Sequence, residues 1–308
     1  MADEPTLFST EQYLDEQLRK IVLRRPKRSI DEAREFGGWT VDKLETLRLY
    51  LNLYRKVAGN GTYVDGFAGV GTIRSGGKRQ PGSAAVALKS RAFKSWRLYE
   101  QPEEAAALNA WADDSATKIQ RPRITIVPGD FNATILVDLE SEVIPRDRPC
   151  FAFLDPDSTQ LDWATVAALA RYNEDCSPPS TCRVELWILL NTWQALMRLM
   201  PRNGKKPAAA TLDRCLGGPD GWRDLYEADK GPESFAQRYA DRLMREFGYG
   251  LARPMAIRDP KTGRPQYHMI HASDHPAAHD FMRWAHKNAA PPDSEAIPFK
   301  FPNAQPHS

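Results

Sequence analysis

The chain has 308 residues, which corresponds to about two domains of ordinary size or to one large α/β domain with additions. Hydrophobic residues make up 42% of it and charged residues 27%, and no apolar run approaches the ~20 residues of a membrane-spanning helix. The formal net charge is +2, because 42 Lys and Arg nearly balance 40 Asp and Glu. Composition thus argues against a transmembrane protein, and bulk charge gives no argument for a nucleic-acid or membrane partner.

Neither the N-terminus nor the cysteines point to secretion or to metal. The first residues, MADEPTLFSTEQ, lack the basic, apolar and small-residue order of a secretory signal. The cysteines are Cys150, Cys176, Cys182 and Cys215. They include no CxxC pair, so we expect buried thiols in a reduced, cytoplasmic chain without structural metal. His271, His275 and His279 recur every four residues, but Pro276 disfavours the helix that such a metal site would need.

The N-terminal region is predicted to form a helix over residues 11–22, followed by a basic arm. The charges of the arm, at Arg24, Arg25, Lys27 and Arg28, are either solvated or contact nucleic acid or an acidic partner. A second amphipathic helix is predicted from Thr40, as its N-cap, to Gly59, because apolar residues keep the helical spacing throughout.

Beyond this helix, short β runs alternate with helical stretches. The runs are TYVDGF, SWRLYE, ITIV, CFAFLD and VELWILL. The alternation predicts βαβ units and a parallel sheet, and the last two runs suit strands buried on both faces. Residues 211–248 are predicted to form a helical insertion, LARPMAIR and QYHMIHA a hairpin, and residues 276–288 a helix before a Pro-rich tail.

The sharpest local feature is the glycine-rich segment DGFAGVG, residues 65–71, which directly follows the first β run. Glycines at the carboxyl end of a first parallel strand let the backbone approach a ligand closely, although a structural turn would use the same residues. The order is GxxGxG rather than the GxGxxG of dinucleotide folds. Residues 72–81 are predicted to be a Gly-rich basic loop before a helix that opens at Gly82-Ser83, and this departure disfavours NAD.

Acidic residues follow the next three β runs in turn. Glu100 ends SWRLYE, Asp130 comes after ITIVPG, and Asp155 with Pro156 comes after CFAFL. The carboxyl ends of parallel strands meet at one edge of a sheet, so these residues and the glycine segment should line one crevice. Asp155 has an alternative role as a strand-end carboxylate that caps the following turn.

With these landmarks the chain resembles the class I S-adenosylmethionine-dependent methyltransferases, and most closely the three-Cys-motif partner family. The resemblance covers about residues 39–286. It rests on WTVDKLETLRLYL, YVDGFAGVG, GSAAVAL, VPGDFN, FLDPD, VELW and YHMIHASDHP. The three cysteines of the family name belong to a partner protein, so a protein partner is implied.

The resemblance implies a Rossmann-like α/β fold with a mostly parallel seven-stranded sheet, a C-terminal antiparallel hairpin and a helical insertion. The domain prediction has an N-terminal helix and basic arm over 1–38 and a cofactor-binding core over 39–200. A helical insertion over 201–250, a hairpin and helix over 251–290 and a tail over 291–308 follow.

The resemblance also implies S-adenosylmethionine as the cofactor. Its methionine moiety would be lined by Asp65, Gly66, Phe67, Ala68, Gly69 and Gly71, its ribose by Glu100 with Gln101, and its adenine by Asp130 with Phe131. Asp155 and Pro156 would face the methyl acceptor, with Asp155 orienting or deprotonating it. Catalysis would then consist mainly of holding a nucleophile in line with the activated methyl group.

Three further residues are predicted on the acceptor side. Asn191 has an alternative role as a helix N-cap. Lys43 has an alternative role in a lid over the cofactor, and Arg74 is alternatively a solvated loop charge like Lys78 and Arg79. Asp155-Pro156 also resembles the start of the DPPY motif of nucleic-acid methyltransferases, from which Asp157 and Ser158 depart.

Two functions follow from the sequence. The first is a methyltransferase, with a nucleic-acid or nucleotide-like acceptor slightly favoured over a small molecule or protein. The second is a non-catalytic or cofactor-sensing partner protein that keeps the fold and acts in a complex. The retained glycine and acidic positions favour the first function without excluding a sensor.

Overall fold

A computed structural model of the chain describes residues 38–75, 77–178, 183–201, 204–258, 263 and 265–289. The predicted helix over 11–22, the basic arm and the Pro-rich tail lie outside the described residues. No described helix combines the length and the apolar character needed to cross a membrane.

The described elements begin with a long helix and continue as alternating strands and helices. The first half contains α1 (Gly38–Ala58), β1 (Gly61–Asp65), β2 (Thr72–Ser75), β3 (Lys78–Pro81), α2 (Ser83–Ser90), β4 (Phe93–Glu100), α3 (Pro102–Ser115), β5 (Ile124–Pro128) and α4 (Phe131–Glu140). The second half contains β6 (Cys150–Leu154), α5 (Trp163–Arg171), β7 (Val184–Leu190), α6 (Met197–Leu199), α7 (Ala209–Leu216), α8 (Arg223–Glu227), α9 (Pro232–Phe247), β8 (Leu251–Arg258), β9 (Pro265–Ser273) and α10 (Ala278–Asn288). A π-helical segment, Thr192–Leu196, directly precedes α6.

Seven strands form one sheet in the order β5-β4-β1-β6-β7-β9-β8. The first five of these strands pair in parallel, whereas β9 is antiparallel to both of its neighbours, β7 and β8. The sheet is thus mainly parallel with an antiparallel pair at its end. This arrangement confirms the predicted α/β fold, including the C-terminal hairpin and the helical insertion between β7 and β8.

Helices cover both faces of the sheet. Along β6, Cys150, Ala152 and Leu154 point to one face and Phe151 and Phe153 to the other, because successive side chains of a strand alternate. The first face packs against α4, α5, α7 and α9, and the second against α1, α2, α3 and α10. The continuous apolar strands CFAFL and VELWILL are buried along their whole length for this reason.

Helix α1 forms because its apolar residues recur at helical spacing and cover the second face of the sheet. Leu47 and Leu51 are fully buried there, and Tyr54 is 3% exposed. The helix begins at Gly38, so the prediction of Thr40 as its N-cap is wrong. Thr40 instead lies inside the first turn with its side chain buried.

Residues 72–81 are not the loop that the sequence predicted. They form an antiparallel hairpin in which Thr72 pairs with Pro81 and Ser75 with Lys78. Its turn includes Gly77, whose φ of +73° suits the left-handed conformation of a tight hairpin connection. Ile73 packs against the core, which anchors the hairpin to the body of the fold.

The cysteine prediction is only partly right. Cys150 and Cys215 are buried free thiols, and burial raises the pKa of each to about 12. Cys176 is disulfide-bonded, so the expectation of a fully reduced chain is wrong at this residue. The histidine spacing does not build one helical face, because His271 belongs to β9 and His279 to α10.

A buried polar cluster ties β7 to α1 and β9. The Glu185 carboxylate accepts hydrogen bonds from the Tyr50 hydroxyl and, at 3.0 Å, from the Ser273 hydroxyl. His271 Nε2 lies 3.0 Å from the same carboxylate, whose side chain is 8% exposed. Three partners thus satisfy a carboxylate that would be costly to bury alone.

We expect Glu185→Ala to lower the free energy of unfolding by about 3–5 kcal/mol, because it leaves three buried polar groups without their shared acceptor. Urea denaturation monitored by circular dichroism measures this loss. The control Glu227→Ala changes an exposed carboxylate on α8 and should stay within about 0.5 kcal/mol of the parent protein. Equal stabilities of the two variants would contradict the role of the cluster.

Candidate active site

The predicted acidic residues lie at one edge of the sheet, where the parallel strands end. Asp65 ends β1, Glu100 ends β4, and Asp155 directly follows β6. These three strands are neighbours in the order β4-β1-β6, and adjacent strands are about 4.8 Å apart. Asp130 follows β5, the next strand beyond β4. The arrangement brings carboxylates from four consecutive positions of the sheet to one edge.

Asp65 is completely buried at the centre of this edge. Its carboxylate accepts hydrogen bonds from the Tyr63 hydroxyl at 3.1 Å and from the Phe67 backbone N–H at 3.4 Å. Burial raises the pKa of Asp65 to about 7; hydrogen bonds from Ser83, Tyr63 and Phe67 oppose the rise, and the charge of Asp155 adds to it. Asp65 therefore changes charge in the neutral pH range.

The glycine segment is shaped by its own backbone hydrogen bonds. The N–H of Gly66 donates to the Phe153 carbonyl and that of Ala68 to the Tyr99 carbonyl, each at 3.0 Å. The N–H of Gly69 donates to Glu100 Oε2 at 2.7 Å. These bonds fasten the segment to both neighbouring strands, β6 and β4, so its backbone is held at the edge of the sheet.

Two glycines in this segment occupy left-handed backbone conformations. Gly69 has φ +61°, and a Cβ placed on it would have no atom within 4 Å, so open space lies beside its backbone. Gly71 has φ +78°, and a Cβ there would lie 2.2 Å from the Trp111 ring. Gly69 thus leaves room for a ligand, whereas Gly71 allows a close contact with an aromatic side chain.

Glu100 holds the turn between β4 and α3. Its Oε2 accepts from Gly69 and its Oε1 accepts from the backbone N–H of Gln101 at 2.8 Å. Burial raises the pKa of Glu100 above its ordinary value, and the two N–H groups offset part of that rise. A carboxylate offers about four acceptor positions, so lone pairs remain for hydroxyl groups of a ligand.

Asp130 and Phe131 open helix α4. Asp130 is exposed and acts as the N-cap, with Oδ1 accepting from the Asn132 N–H at 3.0 Å. The Phe131 ring is 2% exposed and packs on Phe67 and Tyr99, so it belongs to the core rather than to an open stacking surface. The Phe131 backbone N–H has no hydrogen-bond partner among the described residues, as is usual for the first turn of a helix.

Asp155 and Lys43 form an ion pair, although 112 residues separate them in the chain. Lys43 lies on α1, and its side chain is 6% exposed against 22% for Asp155. The Lys43 ammonium also lies 5.8 Å from the centroid of the Tyr267 ring. The pairing gives Asp155 a fixed cationic neighbour.

Asn191 lies beside the residues that follow β6. Its Nδ2 is 3.3 Å from the Asp157 carbonyl, and it lines a small cleft together with Pro156 and Leu196. Its side chain does not cap the following π-helical segment, and its Oδ1 is buried with no hydrogen-bond partner in the described part of the chain. Trp193, two residues later, is 44% exposed.

The structure thus brings together most of the predicted site residues. Arg74 is exposed on β2 of the hairpin that directly follows Gly71, and among the described residues it has neither a hydrogen bond nor an ion pair with the others. Sequence reasoning missed two tyrosines. Tyr63 donates a hydrogen bond to Asp65, and the Tyr267 ring lies beside Lys43, the partner of Asp155. The two-residue period of a strand could have indicated Tyr63, since it lies on the same face of β1 as Asp65. No sequence signal relates Tyr267 to Lys43.

We expect Asp65 to make stability depend on pH in the ligand-free protein. The folded state keeps the Asp65 proton up to about pH 7, whereas the unfolded chain releases it near pH 4, so this carboxyl stabilises the fold at low pH. The contribution is lost as the pH rises through about 7. Relative to Asp65→Asn, the parent protein should lose on the order of 3 kcal/mol of unfolding free energy between pH 4 and pH 8.

Urea denaturation at several pH values measures this difference. Asp147→Asn is the matched control, because the Asp147 side chain is 77% exposed and its removal should leave the pH profile unchanged. If the profiles of the parent protein and Asp65→Asn run parallel, the charge of Asp65 does not depend on folding.

Comparison with known proteins gives likeness at the level of the fold. No protein-family model matches the chain, and no curated protein sequence matches it either. Among solved structures, it is similar to LPL1258 of Legionella pneumophila str. Philadelphia 1, which is described under family-model DUF519. The TM-score is 0.50 at 11% identity, with 80% of this chain and 89% of that chain covered.

Two structures of methyltransferases show weaker likeness. An O-methyltransferase family protein from Burkholderia thailandensis gives a TM-score of 0.36 at 14% identity, with 76% of this chain and 54% of that chain covered. NcsB1 is an O-methyltransferase from neocarzinostatin biosynthesis that was solved in complex with S-adenosylmethionine. It gives a TM-score of 0.31 at 12% identity, with 69% of this chain and 48% of that chain covered. The chain has a Rossmann-like α/β fold with a mainly parallel, seven-stranded sheet.

Proposed function

We propose that the protein is an S-adenosylmethionine-dependent methyltransferase. One observation carries the proposal: Asp65, Glu100 and Asp155 meet at the carboxyl ends of three adjacent strands, around an open glycine backbone at Gly69. Ligands of open α/β sheets bind at this edge. Membership of the three-Cys-motif partner family is part of the same proposal and rests on the sequence landmarks.

The polar groups at this edge suit the polar groups of the cofactor. The open space beside Gly69 admits a ligand, and Glu100 keeps acceptor positions for ribose hydroxyls. The N–H of Phe131 is a free donor for an adenine ring nitrogen, and the second oxygen of Asp130 is an acceptor for its amino group. The Phe131 ring is buried in the core, so we do not expect it to stack on the adenine ring.

When bound, S-adenosylmethionine supplies a methyl group that is already activated for transfer. The protein then has to orient the acceptor and manage its proton. Asp155 is the best-placed group for this task, since it is partly exposed and its side chain is fixed by Lys43. Asn191 lies in the cleft beside Pro156, where its unpaired Oδ1 is an acceptor for a polar group of the substrate.

We expect Gly69→Val to weaken cofactor binding at least 100-fold, because valine strains a backbone at φ +61° and fills the adjacent open space. Isothermal titration calorimetry with S-adenosylmethionine and S-adenosylhomocysteine measures the dissociation constants. The parent protein should bind each at one site.

Gly204→Val is the matched control for backbone strain. Gly204 has φ +78° and also has no atom within 4 Å of a Cβ, but it lies between α6 and α7. This variant should bind the cofactor as the parent protein does. If Gly69→Val binds the cofactor with the affinity of the parent protein, the assignment of the cofactor site to this segment is wrong. If the parent protein does not bind the cofactor, the result favours the non-catalytic partner role.

We expect Asp155→Asn to keep the affinity for S-adenosylmethionine within about threefold and to lower methyl transfer about 10²- to 10⁴-fold, the usual contribution of a positioned acid or base. Transfer of a tritiated methyl group to RNA, DNA and protein fractions of a cell extract measures turnover. Asp147→Asn, at an exposed position, should transfer at the parent rate. Unchanged transfer by Asp155→Asn would remove the catalytic role of this carboxylate.

A further inference from the structure

The β2–β3 hairpin carries an uncompensated positive charge next to the candidate active site. Arg74, Lys78 and Arg79 are exposed, and residues 72–81 contain no acidic residue. Within the described part of the chain, these three side chains have neither a hydrogen bond nor an ion pair. By contrast, Lys43 on helix α1 is nearly buried and paired with Asp155.

The strand register of the hairpin places like charges opposite each other. Arg74 lies directly opposite Arg79, and like charges in directly opposite positions of a strand pair are destabilising. Ile73 on the other face packs against the core, so the two arginines point away from the body of the fold. The arrangement gives up some stability and presents two guanidinium groups side by side on one surface.

The hairpin is attached to the glycine segment at both ends. Thr72 directly follows Gly71, and the N–H of Gly82 donates to the Gly71 carbonyl at 3.0 Å, which closes the base of the hairpin. Arg74 is three residues from Gly71, so its backbone lies within about 10 Å of the segment at ~3.3 Å per residue. A molecule on the hairpin therefore lies within reach of the candidate active site.

The charges in this region are separated in space. The cleft itself holds carboxylates, at Asp65, Glu100 and Asp155. The hairpin beside it is cationic, and its charged side chains have no partner among the residues that the structure describes. Such a surface suits a substrate whose reacting part is neutral and whose remainder is anionic. A nucleic acid strand has this character, because its bases are neutral and its backbone carries one phosphate per nucleotide.

We propose that the β2–β3 hairpin binds the phosphate backbone of a single-stranded nucleic acid, whose base is the methyl acceptor. This inference rests on the proposed methyltransferase function and names its substrate class. A single strand is specified because an unpaired base leaves its stack at a lower cost in free energy than a base in a duplex. Each arginine guanidinium can bind a phosphate group with two parallel hydrogen bonds.

The test measures fluorescence anisotropy of labelled 20-nucleotide single-stranded RNA and DNA of one mixed sequence, titrated with the full chain at several salt concentrations. The variant is Arg74→Gln/Lys78→Gln/Arg79→Gln. Each phosphate contact on a single strand contributes about 0.7 to the slope of log affinity against log salt. The triple variant should therefore lose about 2 from this slope and bind about 100-fold more weakly at 0.1 M salt.

The matched control removes three exposed charges from the opposite edge of the sheet. Lys89, Lys94 and Lys118 are exposed and lie where β4 and β5 begin. Lys89→Gln/Lys94→Gln/Lys118→Gln should bind RNA and DNA within about threefold of the parent protein. The charge-conserving variant Arg74→Lys/Arg79→Lys should retain most of the salt dependence, which separates loss of charge from damage to the hairpin.

Cofactor binding, measured by calorimetry on the same variants, distinguishes this proposal from the proposed function. If the hairpin variant binds S-adenosylmethionine normally and nucleic acid as the parent protein does, the hairpin proposal is wrong and the methyltransferase proposal stands. If no variant binds the cofactor but nucleic acid binding depends on the hairpin, the docking surface stands and the methyltransferase proposal fails. Equal losses in the hairpin and control variants, or binding only to vesicles of phosphatidylserine and phosphatidylcholine, would overturn the nucleic-acid assignment.

Discussion

Parallel pairing of β4, β1, β6 and β7 is the constraint on which the rest of the molecule depends. Parallel neighbours need crossover connections, so the chain must run helices across the sheet, and both faces become buried. The same pairing puts all four carboxyl ends at one edge. The apolar interior of β6 and β7 and the polar edge beyond them are therefore two results of one arrangement.

Two buried carboxylates in the described part of the chain, Glu185 and Asp65, have different surroundings. Glu185 is surrounded by donors from Tyr50, His271 and Ser273, so its burial is matched by hydrogen bonds that join three elements. Asp65 is buried more completely, and burial outweighs the hydrogen bonds from its donors and raises its pKa to about 7. A structural carboxylate is thus fully satisfied, whereas the one at the candidate site stays close to a change of charge. Perturbed groups of the second kind are typical of functional sites.

Two kinds of cation lie near the candidate site, one buried in an ion pair and the others exposed. Lys43 is held in the protein by Asp155, and the pairing links α1 to the segment after β6. Within the described ranges, the cations of the hairpin are exposed and have neither a hydrogen bond nor an ion pair. Charges that neither pair nor pack add little to stability, so the hairpin cations are not needed to hold the fold together.

The sequence by itself determined the strands of the seven-stranded sheet, most helices and the strand-end residues, because apolar periodicity and glycine placement are local signals. It failed where a local pattern fits two structures. Thr40 lies inside the helix instead of capping it, residues 72–81 form a hairpin instead of a loop, and Cys176 is disulfide-bonded instead of a free thiol. Only the tertiary structure decided that Lys43 meets Asp155 across 112 residues, that Tyr267 lies beside them, and that the Phe131 ring is buried. These facts depend on which faces of distant elements pack together, and no spacing within a single element encodes that choice.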